Sequence, residues 1–282
     1  MGMLDSIVLV SPDGMLGRAW SLLLAERGLP FASLTYPTFD MTDVQQVAAG
    51  VPAGTTLVIN CAAWTDVDGA ETKEVEATRV NGDAVGFLAH RCAEVGATLV
   101  HYSTDYVFDG MATSPYRTDQ ARDPLNAYGR GKAVGEQRIV ESGCRHMIAR
   151  TSWLYAAWGN NFVLTIAKLA RTKESLRVVS DQRGRPTSAV HLADVSLRML
   201  ERGATGIHHI TDGDECTWFE FATAIAAHAN PACKVVPCSS DEYPRPAKRP
   251  AYSVLDLSAT EALVGPMTDW SENLQRVLDS GV

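Results

Sequence analysis

The chain has 282 residues and a formal net charge of −8, a balance that keeps a protein soluble and argues against broad nucleic-acid binding. Hydrophobic residues make up 46% and charged residues 21%, yet no apolar run reaches the about 18 residues of a membrane span. The N-terminal run carries Asp5 and no basic segment, so it reads neither as a signal peptide nor as a lipidation signal.

In chain order, short apolar runs alternate with amphipathic stretches. Strands are expected at 6–10 (SIVLV), 31–35, 56–60 (TLVIN), 98–103 (TLVHYS) and 146–150 (HMIAR). Between them, 15–28 places Leu16, Ala19, Trp20, Leu23 and Leu24 on one helical face, and 74–95 reads as one long helix. Strands separated by helices imply a parallel sheet with right-handed crossovers. Beyond Arg150 the alternation loosens, with helices expected at 161–171, 189–201 and 217–229 and strands at 176–180 and 207–211. The Pro-, Ser- and charge-rich segment 231–250 reads as a long loop, followed by short helices near 258–263 and 270–278. The expected organisation is a dinucleotide-binding lobe over 1–152, rejoined by segments near 176–212, and a substrate lobe mainly over 153–282.

The six cysteines, Cys61, Cys92, Cys144, Cys216, Cys233 and Cys238, form no CxxC pair, which argues against structural zinc and fits reduced thiols in the cytoplasm. The first strand runs into Ser11-Pro12-Asp13-Gly14-Met15-Leu16-Gly17. Two glycines three apart at a strand-to-helix turn suit a pyrophosphate: Gly14 lets backbone approach the phosphate, Gly17 lets the helix pack, and the helix N-terminus supplies N–H donors. A full fingerprint has glycine where Ser11 stands, and serine there costs stability if φ is positive. After the second strand, Thr35-Tyr36-Pro37 carries neither the acid of an NAD site nor the arginine of an NADP site, while Asp40 is expected beside the adenine. Small residues at Asn60-Cys61-Ala62-Ala63 leave room for a flat ligand.

The sharpest signal is Tyr128-Gly129-Arg130-Gly131-Lys132. Tyrosine and lysine four apart share one helical face. An ammonium beside a phenol lowers the phenol's pKa from about 10 and suits it to proton donation to a carbonyl. Ser103-Thr104-Asp105, at the carboxyl end of a strand, offers a hydroxyl to that carbonyl. Gly129, Gly131 and Gly135 each cost the helix about 1 kcal/mol, so close approach to the sheet, a nicotinamide or another subunit is expected. Arg245, Lys248 and Arg249 form a candidate basic pocket for an anionic ligand, or a solvated charge run.

The segments STDYVFDG (103–110), PLNAYGRGK (124–132), RTSWLY (150–155), GNNFV (159–163), DQRGRPT (181–187) and RPAYSVLDLS (249–258), in this order, resemble the dTDP-4-dehydrorhamnose reductase family of extended short-chain dehydrogenases. The resemblance implies an α/β, Rossmann-type doubly wound parallel sheet with a smaller C-terminal sugar-nucleotide-binding lobe. It implies NADPH- or NADH-dependent reduction of the C4 ketone of dTDP-4-dehydro-L-rhamnose. On these positions, Tyr128 is the acid, Lys132 tunes it and binds the nicotinamide ribose, and Thr104 orients the C4 oxygen. Gly14, Met15, Leu16, Asp40, Met41, Ala62, Ala63 and Thr65 would line the cofactor site. Asp105, Tyr106, Val107, Trp153 and Arg249 would contact the sugar nucleotide. The chain departs from the family pattern at Ser11, at Gly131 before the lysine, and at Met15, where some members carry a glutamate for Mg²⁺, so no metal is expected. The resemblance allows a homodimer and implies neither a nucleic-acid nor a membrane partner. Two other readings fit the residues: a reductase of another 4-keto-6-deoxy nucleotide sugar, and a non-catalytic regulatory subunit of the same fold.

Overall fold

A computed structural model describes residues 2–280. In chain order the elements are β1 (Ile7–Val10), α1 (Met15–Glu26), β2 (Phe31–Leu34), α2 (Val44–Gly50), β3 (Leu57–Asn60), α3 (Val67–Thr72), α4 (Glu74–Thr78), α5 (Ala84–Val95) and β4 (Thr98–Thr104). There follow α6 (Ala127–Ser142), β5 (His146–Thr151), β6 (Leu154–Tyr155), α7 (Phe162–Ala170), β7 (Ser175–Val179), β8 (Arg183–Gly184) and β9 (Thr187–Ser188). The chain closes with α8 (Ala189–Glu201), β10 (Gly206–His209), β11 (Cys216–Thr217), α9 (Trp218–Ala229), β12 (Lys234–Cys238), α10 (Ser258–Val264) and α11 (Trp270–Asp279).

Six strands form one parallel sheet in the order β10-β5-β4-β3-β1-β2. The order reverses between β1 and β3, and a doubly wound sheet opens its ligand crevice at the carboxyl ends of such a pair. Successive residues of a strand face opposite sides. Ile7 and Leu9 enter the core under α1 and α8, while Val8 and Val10 enter the core under α2 and α5. In β4 the same alternation sends Tyr102 to the α1 side, where it accepts from Trp20 Nε1 at 2.7 Å and donates to Ser196 at 3.0 Å. His101 and Ser103 are sent beneath α6. A third core packs α7, α9 and α11 around Tyr155 and Phe221, beside the two-stranded parallel pair of β7 and β12.

Two expected elements differ. The segment 74–95 is not one helix: a π-helical turn at Arg79–Asp83 separates α4 from α5. That turn presents Asn81, whose side chain accepts from Trp64 N at 2.9 Å and donates to Trp64 O at 3.0 Å, fixing the loop after β3. The segment 231–250 is not all loop, because Lys234–Cys238 pairs with β7. Pro237 is tolerated there because an edge strand needs no N–H on its open side. Of the later segments, α8 and β10 join the large sheet and its core, whereas β7 pairs away from it.

Of the three glycines of α6, Gly129 and Gly135 serve close approach to backbone outside the sheet, whereas a Cβ on Gly131 would meet Thr78 at an ordinary 3.4 Å. A Cβ on Gly129 would fall 2.1 Å from the Tyr106 carbonyl oxygen, and one on Gly135 would fall 2.2 Å from that of Asn81. The helix therefore lies directly on the turn after β4 and on the π-helical turn. Gly135→Ala is expected to force these backbones apart and to destabilise the fold by about 2–3 kcal/mol, read from urea denaturation. Unchanged stability would show that α6 is not held at this spacing.

Candidate active site

Asn126 caps α6 by accepting from Gly129 N at 2.8 Å, and its Nδ2 donates to Lys248 O at 2.9 Å. This cap places Tyr128 in the first turn of the helix. Thr104 ends β4; its hydroxyl donates to Asp105 Oδ1 at 2.9 Å, accepts from Tyr106 N at 3.1 Å and makes polar contact with Tyr128. The structure thus brings together Thr104, Asp105, Tyr106 and Tyr128, whose ring meets Tyr106 edge-on at 6.1 Å.

Lys132 is placed differently from the expectation. Its side chain is buried, with Nζ donating to the Tyr102 carbonyl at 2.5 Å and lying 3.3 Å from His101 Nε2. Burial pushes its pKa down to about 8, against the opposing pull of Glu136. The Tyr128 phenol is not lowered either: burial, then the Asp105 carboxylate, push it up, and the Thr104 hydroxyl offsets only part. A raised phenol remains protonated at neutral pH, which is the form a proton donor needs. Burial lifts Asp105 itself to about 6. The Ser253 hydroxyl lies near enough to favour its charge, yet Oδ2 makes no well-aligned hydrogen bond.

Below Lys132, Glu136 is fully buried and takes Arg150 in a two-point pair, Nε at 2.9 Å and Nη2 at 2.7 Å, plus the Ser103 hydroxyl at 2.5 Å. Burial alone would raise this carboxyl, but Arg150, Ser103 and Arg122 outweigh it and hold it below the usual range.

Two cavities carry neighbours of Tyr128 in their walls, Trp64 in one and Tyr106 in the other, although Tyr128 itself lines neither. The first, about 550 Å³, is lined by Ser11, Asp40, Met41, Ala62, Ala63, Trp64 and Arg79 among others. Trp64 and Tyr128 pack against the same small alanine cluster. Gly14 caps α1 without a side-chain bond, which leaves the first-turn N–H groups for a ligand. A Cβ on Gly17 would lie 1.8 Å from the Ser11 carbonyl oxygen, so this glycine serves the turn itself rather than helix-on-sheet packing. Ser11 adopts φ +59, the strained case. Of the expected cofactor residues, Leu16 buries its side chain in the core, and Thr65 is exposed and outside the lining. Met15 uses its carbonyl to accept from Trp158 Nε1 at 3.0 Å. Trp64 and Arg79 were missed because they lie on a loop and a π-helical turn without a local motif.

The second cavity, about 470 Å³, is lined by Tyr106, Phe162, Trp218, Gln182, Arg245 and Arg249 among others. Trp153, at φ +49, stacks on Trp218 with ring centroids 3.6 Å apart. Val107 does not reach either cavity, since its side chain is buried with Phe108, Tyr116 and Leu255. The basic cluster is not merely a solvated run. Arg245 Nε and Arg249 Nη1 donate to Asp68 at 2.9 and 2.7 Å, and Ala247 N donates at 3.1 Å. Burial would raise Asp68, but these bonds outweigh it and keep it ionised.

This is the fold of a reductase of the extended Rossmann class, with one cavity at the carboxyl ends of β1 and β3 and a second that includes Arg245 and Arg249 in its lining. A family model described as the RmlD substrate binding domain matches residues 5–282, and the chain belongs to this family. It is 39% identical over 279 residues to a dTDP-4-dehydrorhamnose reductase of Mycolicibacterium smegmatis, covering 97% of this chain and 85% of the relative. It is 38% identical over 280 residues to a dTDP-4-keto-6-deoxy-D-glucose reductase of Streptomyces niveus, covering 96% of each. Its fold matches that of a Bacillus anthracis dTDP-4-dehydrorhamnose reductase in complex with NADP, with TM-score 0.92 and 33% identity over 98% of this chain and 99% of that one. No group of three or more potential metal-ligating side chains is assembled among the described residues.

Because Asp105 is raised from 3.8 to about 6, the folded state binds its proton more tightly than the unfolded state. Its stability contribution is full below about pH 4 and is lost as pH rises through about 6. Asp105→Asn is therefore expected to stabilise the fold at pH 7 by on the order of 2 kcal/mol, read as a higher melting temperature, and to have much less effect at pH 4. An equal effect at both pH values would refute the buried-charge account. Ser11→Gly relieves a left-handed serine worth about 1–2 kcal/mol, less glycine's own entropy. Dinucleotide binding is expected to tighten about two- to fivefold, measured by fluorescence titration; unchanged affinity would show that the turn tolerates serine.

Proposed function

We propose that this chain reduces the C4 ketone of dTDP-4-dehydro-L-rhamnose to dTDP-L-rhamnose with NADPH. The observation that carries this reading is the position of Tyr128, which shares a small apolar cluster with Trp64 of the first cavity's wall and meets Tyr106 of the second's edge-on. NADPH, when bound in the first cavity, supplies the hydride. The residues there suit it: small Ala62 and Ala63 against a flat ligand, Ser11 at the turn that leads to the uncapped start of α1 for the pyrophosphate, and Arg79 in the lining as a cation for a 2′-phosphate. Asp40 turns its carboxylate onto Thr42 N at 2.8 Å and so presents less charge to the cavity.

In the second cavity, Arg249 and Arg245 face the diphosphate, and Tyr106 and Trp218 supply aromatic surface for the nucleotide. Thr104 orients the C4 oxygen. Tyr128 gives that oxygen its proton as hydride reaches C4, and the tyrosine becomes a phenolate. Lys132 as ammonium stabilises the developing negative charge through the field of the buried site. The six cysteines are all unpaired, in keeping with work in the reducing cytoplasm.

The relative from Streptomyces niveus, named for a different keto sugar, makes the sugar the point to test. NADPH and NADH titrations followed by turnover on several dTDP-4-keto sugars decide it. Tighter NADPH binding and highest turnover on the dehydrorhamnose substrate support the proposal. Binding of neither nucleotide would move a regulatory role to the front. Tyr128→Phe is expected to lower turnover by at least about 10²-fold with an unchanged melting curve, and near-normal turnover would remove Tyr128 as the acid.

A further inference from the structure

A second polar arrangement lies beneath Lys132, on the face of the sheet that α6 covers. Asn60 and His101 are register partners on β3 and β4, so their side chains leave the sheet on the same side. Both are buried, at 1% and 0% exposure. The Ala62 N–H donates to Asn60 Oδ1 at 3.0 Å, which fixes the orientation of the amide. Its nitrogen, Nδ2, then meets His101 Nδ1 at 3.1 Å. An amide nitrogen only donates, so His101 Nδ1 accepts. A neutral imidazole with Nδ1 accepting carries its single proton on Nε2.

That Nε2 faces Lys132 Nζ at 3.3 Å. Against an ammonium, two donors oppose one another; against a neutral amine, the N–H finds a lone pair. The Tyr102 carbonyl, which Nζ meets at 2.5 Å, accepts from either form. Other charged and titratable groups near Lys132 do not reproduce this bias. Glu136, on α6, favours the ammonium but is drawn off by Arg150 of β5, Ser103 of β4 and Arg122 of the preceding loop. Asp105, after β4, acts on Tyr128 of α6, and neither is among the groups that shift Lys132.

We propose that Asn60 and His101 are positioning residues that hold the imidazole as the Nε2–H tautomer, disfavour the ammonium of Lys132, and thereby set the upper pH limit of the reduction. The proposal rests on the roles given above to Tyr128 and Lys132. The chemistry is an acid–base equilibrium only. Lys132 loses one proton to solvent at the limit, the Nε2–H then donates to the amine, and the positive charge that supports the Tyr128 phenolate is gone.

The test is the pH dependence of the single-turnover hydride-transfer rate with saturating NADPH. In the native chain the rate should fall through a limb near the Lys132 value of about 8. Asn60→Asp keeps the acceptor for Ala62 N but accepts a hydrogen bond from His101 Nδ1, so the ring keeps its proton on Nδ1 and turns the Nε2 lone pair toward Lys132. The limb should then move up by about 1 pH unit or more, and His101→Phe, which removes the donor, should move it the same way. A packing role alone would lower the rate at every pH and leave the limb in place; that result overturns the proposal. A measurement on the native chain needs no variant. Nitrogen-15 NMR of the labelled histidine rings, with NADPH bound, should show His101 protonated at Nε2 and bare at Nδ1. The opposite tautomer, or an imidazolium, overturns the proposal even if Tyr128 proves to be the acid.

Discussion

The structure depends on how α6 brings a lysine and a glutamate against β4 without leaving either side chain without a polar partner. A lone buried ion is costly, and a half-satisfied network costs more than an apolar contact. Glu136 is neutralised by Arg150 and bonded by Ser103. Lys132 is bonded to the Tyr102 carbonyl and faces His101. These partners come from β4 and β5, adjacent strands of the parallel sheet. The helix can approach only because Gly129 and Gly135 have no side chain where the carbonyls of Tyr106 and Asn81 pass. Helix propensity is surrendered for contact, and contact fixes the height of Tyr128 above the sheet.

From that fixed point the two cavities follow. The reversal of strand order between β1 and β3 opens one of them, and the loop after β3, pinned by Asn81, forms its wall. The third core, built on α7, α9 and α11, raises the other. The segment that carries Arg245 and Arg249 is tied back to the first lobe twice, by Asp68 and by the cap residue Asn126. Cap, tyrosine and cations are therefore parts of one mechanical unit, which couples the site's basic rim to Tyr128.

Much of the first lobe was legible because its signals are local. Four-residue apolar runs, the Gly14–Gly17 spacing and the Tyr128–Lys132 spacing each sit within one element, and periodicity reports such elements directly. What was not legible depended on partners distant in the chain. Nothing near residue 80 announces that 74–95 is interrupted, because the π-helical turn answers to α6. The strand at 234–238 contains Pro237 and exists only because β7 offers an edge. Val107 and Leu16 lie beside functional residues in sequence, yet their side chains point into cores.

The sequence by itself determined the alternation of strands and helices, the glycine turn after the first strand with a serine where glycine is usual, and a tyrosine four residues before a lysine on one helical face. These follow from periods of two and 3.6 residues and from spacing along the chain. Only the tertiary structure decided what the lysine touches. Its spacing from Tyr128 suggested a direct pair, but burial against β4 turned Nζ toward Tyr102 and His101. Burial also raised the phenol rather than lowering it. A pKa is set by the solvent and charge that surround a group in space, and those surroundings are assembled from strands far apart in sequence.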